Sequence, residues 1–216
     1  IYWVLKVQFG IDPIKFFLAF KNMPWYLGDY FKFTNQFDGK VKIVPSLHDK
    51  NKSNGDYEHE YFWQDIFVSQ KIYAENPKSH LDIGSRIDGF VSSVASFREI
   101  EVLDIRKQTI SIDNVSFTQG DLMSNEFSEK QYKKYDSISC LHTIEHFGLG
   151  RYGDKVMTNG LHLGFKNISK LASKNAKMYI STPISTQGYV EFNSNYVFCY
   201  KDIFNLFQTE GYVIEE

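Results

Sequence analysis

Short apolar runs of strand character alternate with stretches of helical periodicity from residue 81 onward, and this alternation constrains the fold more than any other feature. Residues 81–83, 101–105, 115–118, 137–141, 177–181 and 212–214 read as strands, and 90–97, 156–172 and 201–208 as helices. Strands separated by helices long enough to cross over predict a parallel sheet with both faces covered. The expected fold class is therefore α/β, a Rossmann-like and mostly parallel sheet. A further helix is expected from Glu60 to Asn76, with Phe62, Ile66, Phe67 and Ile72 on its apolar side and Asn76-Pro77 ending it. These elements make residues 59–216 one domain.

Residues 1–58 read as an N-terminal helical and loop extension. Asp12-Pro13 suits a helix start, because Asp caps and Pro fits the first turn. Ile14, Phe17, Leu18, Trp25, Leu27, Tyr30 and Phe31 follow at helical spacing, and Met23-Pro24 is expected to break the helix. An amphipathic segment packed on the domain is preferred to one lying on a membrane. Residues 36–58 are polar, with an exposed loop expected at 51–56 and a short strand at 42–44.

The 216 residues carry 24 basic against 26 acidic side chains, which leaves no electrostatic footprint for nucleic acid. No apolar run reaches the length of a transmembrane span. The chain opens on Ile-Tyr-Trp without Met or a basic leader, so it reads as a fragment or a processed product. Its two cysteines, Cys140 and Cys199, fit buried thiols of a cytoplasmic protein.

In an open α/β sheet, ligands bind beyond the carboxyl ends of the strands. The polar residues at those ends are Gly84, Ser85, Arg86, Asp88 and Gly89 after the first strand and Asp104 at the end of the second. Gly120-Asp121 follows the third, His142, Glu145 and His146 the fourth, and Thr182-Pro183 the fifth. A carboxylate at position 104 offers paired acceptors to ribose hydroxyls, and an acid after the third strand suits an adenine amino group. The order points to an adenosine-containing cofactor. Arg86 stands where a pyrophosphate would need glycine, and Asp82 within the first strand suits a cationic ligand better than a phosphate.

Residues 78–182 resemble the class I S-adenosylmethionine-dependent methyltransferases through Leu81-Asp-Ile-Gly-Ser-Arg-Ile-Asp-Gly89, Val102-Leu-Asp-Ile105, Gly120-Asp121 and Asp136-Ser-Ile-Ser-Cys-Leu-His-Thr-Ile-Glu-His146. Tyr61-Phe-Trp-Gln-Asp65, the first turn and residues 142–153 resemble a narrower group associated with bacterial surface-polysaccharide synthesis. The resemblance implies that Asp82 and Gly84 hold the methionine part of S-adenosyl-L-methionine, Asp104 its ribose, and Asp121 with Leu122 its adenine; Ser85 and Gly89 are further expected cofactor contacts, and His142 is expected to face the cofactor. Arg86 departs from the usual glycine and is expected to pair with the methionine carboxylate. Gln64 and Asp65 lie on the helix that closes over the cofactor in this superfamily. The superfamily sheet usually ends on a seventh, antiparallel strand; residues 212–216 read as the sixth, so the sheet is expected to lack the seventh, either because the C-terminus is truncated or because that strand is missing.

His142-Thr-Ile-Glu145-His146 also has the pattern of an inverted zinc-protease motif, which needs two histidines on one helical face. Its place at the end of a buried strand argues against that use. Methyl transfer to a hydroxyl calls for a general base, and His142, His146 and Glu145 are the candidates. Arg151 and Tyr152 in a glycine-rich rim, and Glu191, Asn193, Asn195 and Tyr196 in the insertion after the fifth strand, are candidates for substrate contact. The expected function is O-methylation of a sugar or glycan precursor, with S-adenosyl-L-homocysteine as product. The alternatives are a non-catalytic S-adenosylmethionine-binding partner and a zinc metallohydrolase. A divalent metal is not expected, and a homodimer is left open.

Overall fold

The strands form where apolar and β-branched residues alternate with small or polar ones, and five of them pair into one parallel sheet. In the computed structural model, which describes residues 1–47, 50, 60–124, 127 and 134–215, these are β1 (His80–Ile83), β2 (Ile100–Asp104), β3 (Val115–Gln119), β4 (Tyr135–Leu141) and β5 (Ala172–Ser181). Their spatial order is β3-β2-β1-β4-β5, every ladder parallel. Chain connections leave β1 towards β2 on one side and arrive at β4 on the other, so a crevice opens between the carboxyl ends of β1 and β4. The fold is Rossmann-like, as expected.

Period-two alternation divides the side chains of the sheet between two apolar layers. Leu81, Ile83, Leu103, Ile138 and Cys140 pack with Leu161, Phe165, Ile168 and Leu171 of α5 (Gly160–Leu171) and with Ile203 and Leu206 of α6 (Tyr200–Thr209). Ile100, Val102 and Leu141 pack with Val68 and Ile72 of α3 (Glu60–Glu75), with Phe90 and Val91, and with Val94 and Ala95 of α4 (Ser92–Ala95). Each such side chain, fully buried, contributes about 1.5–3 kcal/mol relative to exposure. A small antiparallel hairpin, β6 (Tyr189–Glu191) with β7 (Asn195–Val197), stands in the insertion after β5.

The chain divides into two units, Ile1–Glu58 and His59–Glu216. The first holds α1 (Tyr2–Gln8) and α2 (Pro13–Thr34), with Asp12 Oδ1 accepting the N–H groups of Ile14 and Lys15. No helix among the described residues is long and apolar enough to cross a membrane.

Several local expectations are corrected. Pro24 lies inside α2 and does not end it, because one missing N–H is a small part of a helix of 22 residues. Residues 42–44 form no strand. The loop expected at 51–56 lies outside the described residues. The first crossover is not a regular helix from residue 90: a π-turn at Ile87–Val91, non-helical at Gly89, leads into α4. α5 begins at Gly160 rather than at 156. Residues 212–214 are not a strand. Gly211, at φ +82°, turns the chain back after α6, Tyr212 N–H bonds to the Phe207 carbonyl, and the Tyr212 ring packs on Phe165.

Close backbone approach decides where α5 starts. Gly148 has φ +77°, and a Cβ there would run into the Met157 carbonyl oxygen, with Gly160 Cα 3.2 Å away. Gly153 has φ +84° with nothing within 4 Å, so alanine there meets only the backbone penalty of about 1–2 kcal/mol. Gly148→Ala adds a steric clash and is expected to cost about 1–3 kcal/mol more than Gly153→Ala. Paired thermal melts of the two variants check this ordering; equal midpoints would remove the clash from the argument.

Candidate functional site

The crevice is built from strand ends. Ile83 and Gly84 at the end of β1, Leu103 through Arg106 at the end of β2, Gly120 through Met123 after β3, and His142, Thr143, His146 and Phe147 after β4 line a cleft open to solvent, with Tyr152 and Asp154 at the rim. The apolar lining of Leu103, Leu122, Met123 and Phe147 suits a flat ring, while Asp104 and Asp121 bring carboxylates to its edge. Gly84 is at φ +74°, and a Cβ there would stand 2.5 Å from Thr143 Cγ2. Glycine is needed at the one point where the β1 and β4 loops meet.

Of the residues expected at the site, Gly84, Asp104, Asp121, Leu122, His142, His146 and Tyr152 line this cleft. Asp82 does not. Its carboxylate is fully buried beneath the turn, where Oδ1 accepts the Ser139 and Ser85 hydroxyls at 2.6 and 2.9 Å and Oδ2 the Ser85 N–H at 3.0 Å. Burial first, and the nearby Asp104 charge, push its pKa up to about 6 against the pull of these hydrogen bonds. Arg86 is turned to Asp88 in a two-point ion pair at the surface. At Gly89 a Cβ would meet the Asp65 carboxylate at 2.9 Å, and Asp65 accepts the Phe90 N–H, so α3 is docked on the turn through Asp65.

Arg106 is the residue sequence reasoning missed. Its guanidinium chelates Asp104, donates to the Gly84 carbonyl at 2.9 Å and lies 4.6 Å from the centre of the Tyr152 ring. The carboxylate expected to stand open is therefore paired. An Asp-x-Arg spacing at a strand end was the available signal, since two residues bring an arginine back over the carboxylate.

The histidine motif does not lie on a helix. His142 follows β4 in a left-handed conformation, φ +48°, and Ile144–His146 form one 3-10 turn. The two imidazoles thus do not share the helical face that the inverted zinc motif requires, which removes the basis of that alternative. His142 Nδ1 is 3.0 Å from Glu145 Oε1, and Glu145 is buried with Oε2 lacking a hydrogen-bond partner among the described residues. The Tyr61 ring of α3 meets the His142 ring edge-on at 4.7 Å. Since an ionised Glu145 only accepts, His142 carries its proton on Nδ1 and keeps Nε2 as an acceptor. His142 thus combines a left-handed non-glycine backbone with a buried carboxylate that orients its ring.

His142 also borders a second, open recess with Gln64, Thr182, Pro183 and Ile184. It therefore stands between the two spaces. His146 acts on the insertion instead. Its Nδ1 donates to the Ser194 carbonyl at 2.7 Å, and Arg151 donates to the same oxygen at 3.0 Å, tying the β6–β7 hairpin to the 3-10 turn. Burial holds the His146 pKa below the ordinary histidine value. Arg151 and His146 thus serve as pins for the insertion. Tyr196 stacks with Phe198, and neither Tyr196 nor Asn193 lines the two spaces.

No family model and no curated protein matches the sequence. Solved structures do match. The 1,6-didemethyltoxoflavin-N1-methyltransferase of Burkholderia thailandensis, solved with bound 1,6-didemethyltoxoflavin and S-adenosylhomocysteine, aligns with a TM-score of 0.52 at 12% identity, over 72% of this chain and 70% of that one. A Nostoc punctiforme protein assigned to the O-methyltransferases aligns with a TM-score of 0.51 at 11% identity, over 71% and 51%. An amino pentose methyltransferase of Micromonospora echinaspora, solved with S-adenosylmethionine, aligns at 0.42 and 12% identity, over 57% and 51%. The chain thus spans about half the length of the Nostoc and Micromonospora proteins. At these identities the likeness is one of fold alone, the Rossmann-like α/β fold that the chain shares with these methyltransferases.

Proposed function

We propose that the protein is an S-adenosylmethionine-dependent methyltransferase acting on a hydroxyl of a sugar or glycan precursor, drawing on the cytoplasmic cofactor pool. The observation that carries the reading is the position of His142, oriented by Glu145 and shared by the strand-end cleft and the recess beside it. The residues present fit the cofactor: a left-handed glycine at the loop junction, a carboxylate at the end of β2, and an apolar slot beside Asp121. When bound, S-adenosylmethionine supplies a sulfonium-activated methyl group.

Asp104 would accept the ribose hydroxyls, with Arg106 displaced from one carboxylate oxygen. Leu122, Met123 and Phe147 would sandwich the adenine, and Asp121 would hold it at the edge, although Asp121 already turns Oδ1 back to the Met123 N–H. The acceptor would sit in the recess beside His142, whose other lining residues Gln64, Thr182, Pro183 and Ile184 carry no formal charge. That neutrality favours a hydroxyl-bearing, uncharged group over an anion. His142 Nε2 would take the proton of the acceptor hydroxyl, and the buried Glu145 carboxylate would stabilise the imidazolium that forms. Alignment of the two partners supplies most of the remaining acceleration.

Calorimetric titration with S-adenosylmethionine and S-adenosylhomocysteine tests the reading. Saturable binding of both at one site per chain is expected. Heat from neither ligand would overturn it, and binding without turnover over a panel of sugar acceptors would turn the assignment to a non-catalytic cofactor-binding partner.

A further inference from the structure

Beneath the glycine turn, on the face of the sheet away from α5, lies a chain of buried polar groups that the proposed chemistry does not use. His80 opens β1 and is 2% exposed; Ser137 and Ser139 of β4 are 1% and 0% exposed. The parallel register sets His80 beside Ser137 and Asp82 beside Ser139, and the period of two turns all four to one side. His80 Nδ1 is 2.8 Å from Ser137 Oγ, His80 Nε2 is 3.1 Å from Ser139 Oγ, and Ser139 Oγ is 2.6 Å from Asp82 Oδ1. The Phe90 ring covers the imidazole edge-on at 6.2 Å.

The direction of these hydrogen bonds follows from one acceptor. An ionised Asp82 can only accept, so Ser139 donates to it. Ser139 Oγ then accepts from His80 Nε2–H, and His80 Nδ1 accepts from the Ser137 hydroxyl. Burial, with the Arg98 charge nearby, drives the His80 pKa down to about 3, so the ring is neutral and its tautomer is set by the chain. Every donor points towards Asp82. Aligned donors in a dry interior reinforce one another and favour the anion at the end of the row. A fully apolar strand pair would be the cheaper way to fill this space, and a satisfied polar network here indicates a use.

We propose that His80, through Ser139, is a positioning residue that keeps Asp82 ionised so that the carboxylate clamps the Ser85 turn at the mouth of the cofactor cleft. The proposal rests on the cofactor assignment for its purpose, but not for its chemistry. The Asp82 carboxylate holds both the N–H and the hydroxyl of Ser85, the residue after left-handed Gly84. Protonation would put a hydrogen on one of the two oxygens that now accept, and the turn would lose part of its clamp. It would also remove a buried negative charge beneath the turn, which attracts a cationic ligand. The other ionisable groups around Asp82 are Asp104 at the end of β2, Cys140 on β4 and Glu145 beyond it, with Arg98 on the far side of His80. The Asp104 charge opposes the anion, and the hydrogen bonds that support it come from the Ser139 hydroxyl, held in turn by His80, and from the Ser85 hydroxyl and N–H.

The linkage has a definite sign. With the folded pKa of Asp82 raised to about 6, the folded unit binds an extra proton between the ordinary carboxylate pKa and pH 6. Its stability therefore rises as pH falls through that window, whereas affinity for a cationic ligand falls there.

Carbon-13 carboxylate and nitrogen-15 imidazole spectra of the ligand-free protein give the first readout, for wild type, Ser139→Ala and His80→Phe. Wild type is expected to show the Nε2–H tautomer of His80 across pH 5–8. The Asp82 titration should move upward by at least one pH unit in both variants. A Nδ1–H tautomer, or an unmoved Asp82 titration in variants whose melting curves show them folded, overturns the relay. The second readout is S-adenosylhomocysteine and S-adenosylmethionine binding across the same range. The variants should bind S-adenosylmethionine like wild type at pH 9 and at least about fivefold more weakly at pH 6, where a one-unit shift leaves about a tenth of the carboxylate ionised instead of half. An equal loss at every pH would reduce His80 to a packing residue and overturn its positioning role. A shifted Asp82 titration in a protein that binds neither ligand would leave the relay standing and sink the cofactor assignment instead.

Discussion

His142→Ala is expected to lower methyl transfer by about 10²–10⁴-fold while cofactor affinity stays within a few-fold of wild type. The asymmetry comes from geometry. The His142 ring borders the cleft but is held by Glu145 and Tyr61, not by groups that a nucleoside would contact. Its loss removes the proton acceptor and leaves Gly84, Asp104 and the apolar slot in place. Glu145→Gln separates orientation from basicity. A glutamine amide can donate to Nδ1, which forces the proton onto Nε2 and blocks the base, so a loss of comparable order is expected. S-adenosylhomocysteine release in the presence of sugar acceptors, with calorimetry alongside, measures both effects. Full activity in His142→Ala would rule out the base assignment, and loss of cofactor binding alone would make His142 a wall of the cleft.

Asp104 carries the second large effect. Asp104→Ala is expected to weaken S-adenosylhomocysteine binding by about 10–100-fold, since hydrogen bonds to a charged group contribute about 1.5–3 kcal/mol. Arg106→Ala is expected to act in the opposite direction, tightening binding by about three- to tenfold, because a ribose must otherwise compete with a guanidinium already seated on the carboxylate. The same arginine bonds the Gly84 carbonyl and lies against Tyr152, so it closes the cleft across β1, β2 and the rim. Titrations of the two single variants and of the double variant settle the relation. If Arg106→Ala weakens binding as much as Asp104→Ala, the arginine holds the carboxylate in place and does not compete for it.

Much of the fold was legible in the chain because it depends on local periodicity. Runs such as 100–104 and 137–141 have too few polar residues to be surface loops, and the helices between them force parallel pairing with the chemistry at the carboxyl ends. Gly84, Asp104, Asp121 and His142 could be placed at one edge on that ground alone, and the structure lines one cleft with them. The failures share a cause. Residues 212–214 have strand composition, yet a strand needs a partner edge, and packing of Tyr212 on Phe165 holds the segment elsewhere. Pro24 looked like a stop signal, but a local preference of a few kcal/mol does not decide a long helix.

By itself, then, the sequence determined the parallel sheet, its crevice and the residue types at the strand ends, because period and turn chemistry are local properties. Tertiary structure alone decided what those residues do there. It seated Arg106 on Asp104, turned His142 to Glu145 and Tyr61, spent His146 and Arg151 on the hairpin, and buried Asp82 under Ser85. The physical reason is plainest at His80. Its partners lie 57 and 59 positions away, brought within hydrogen-bond reach only by the register of β1 on β4, which no short window of sequence contains.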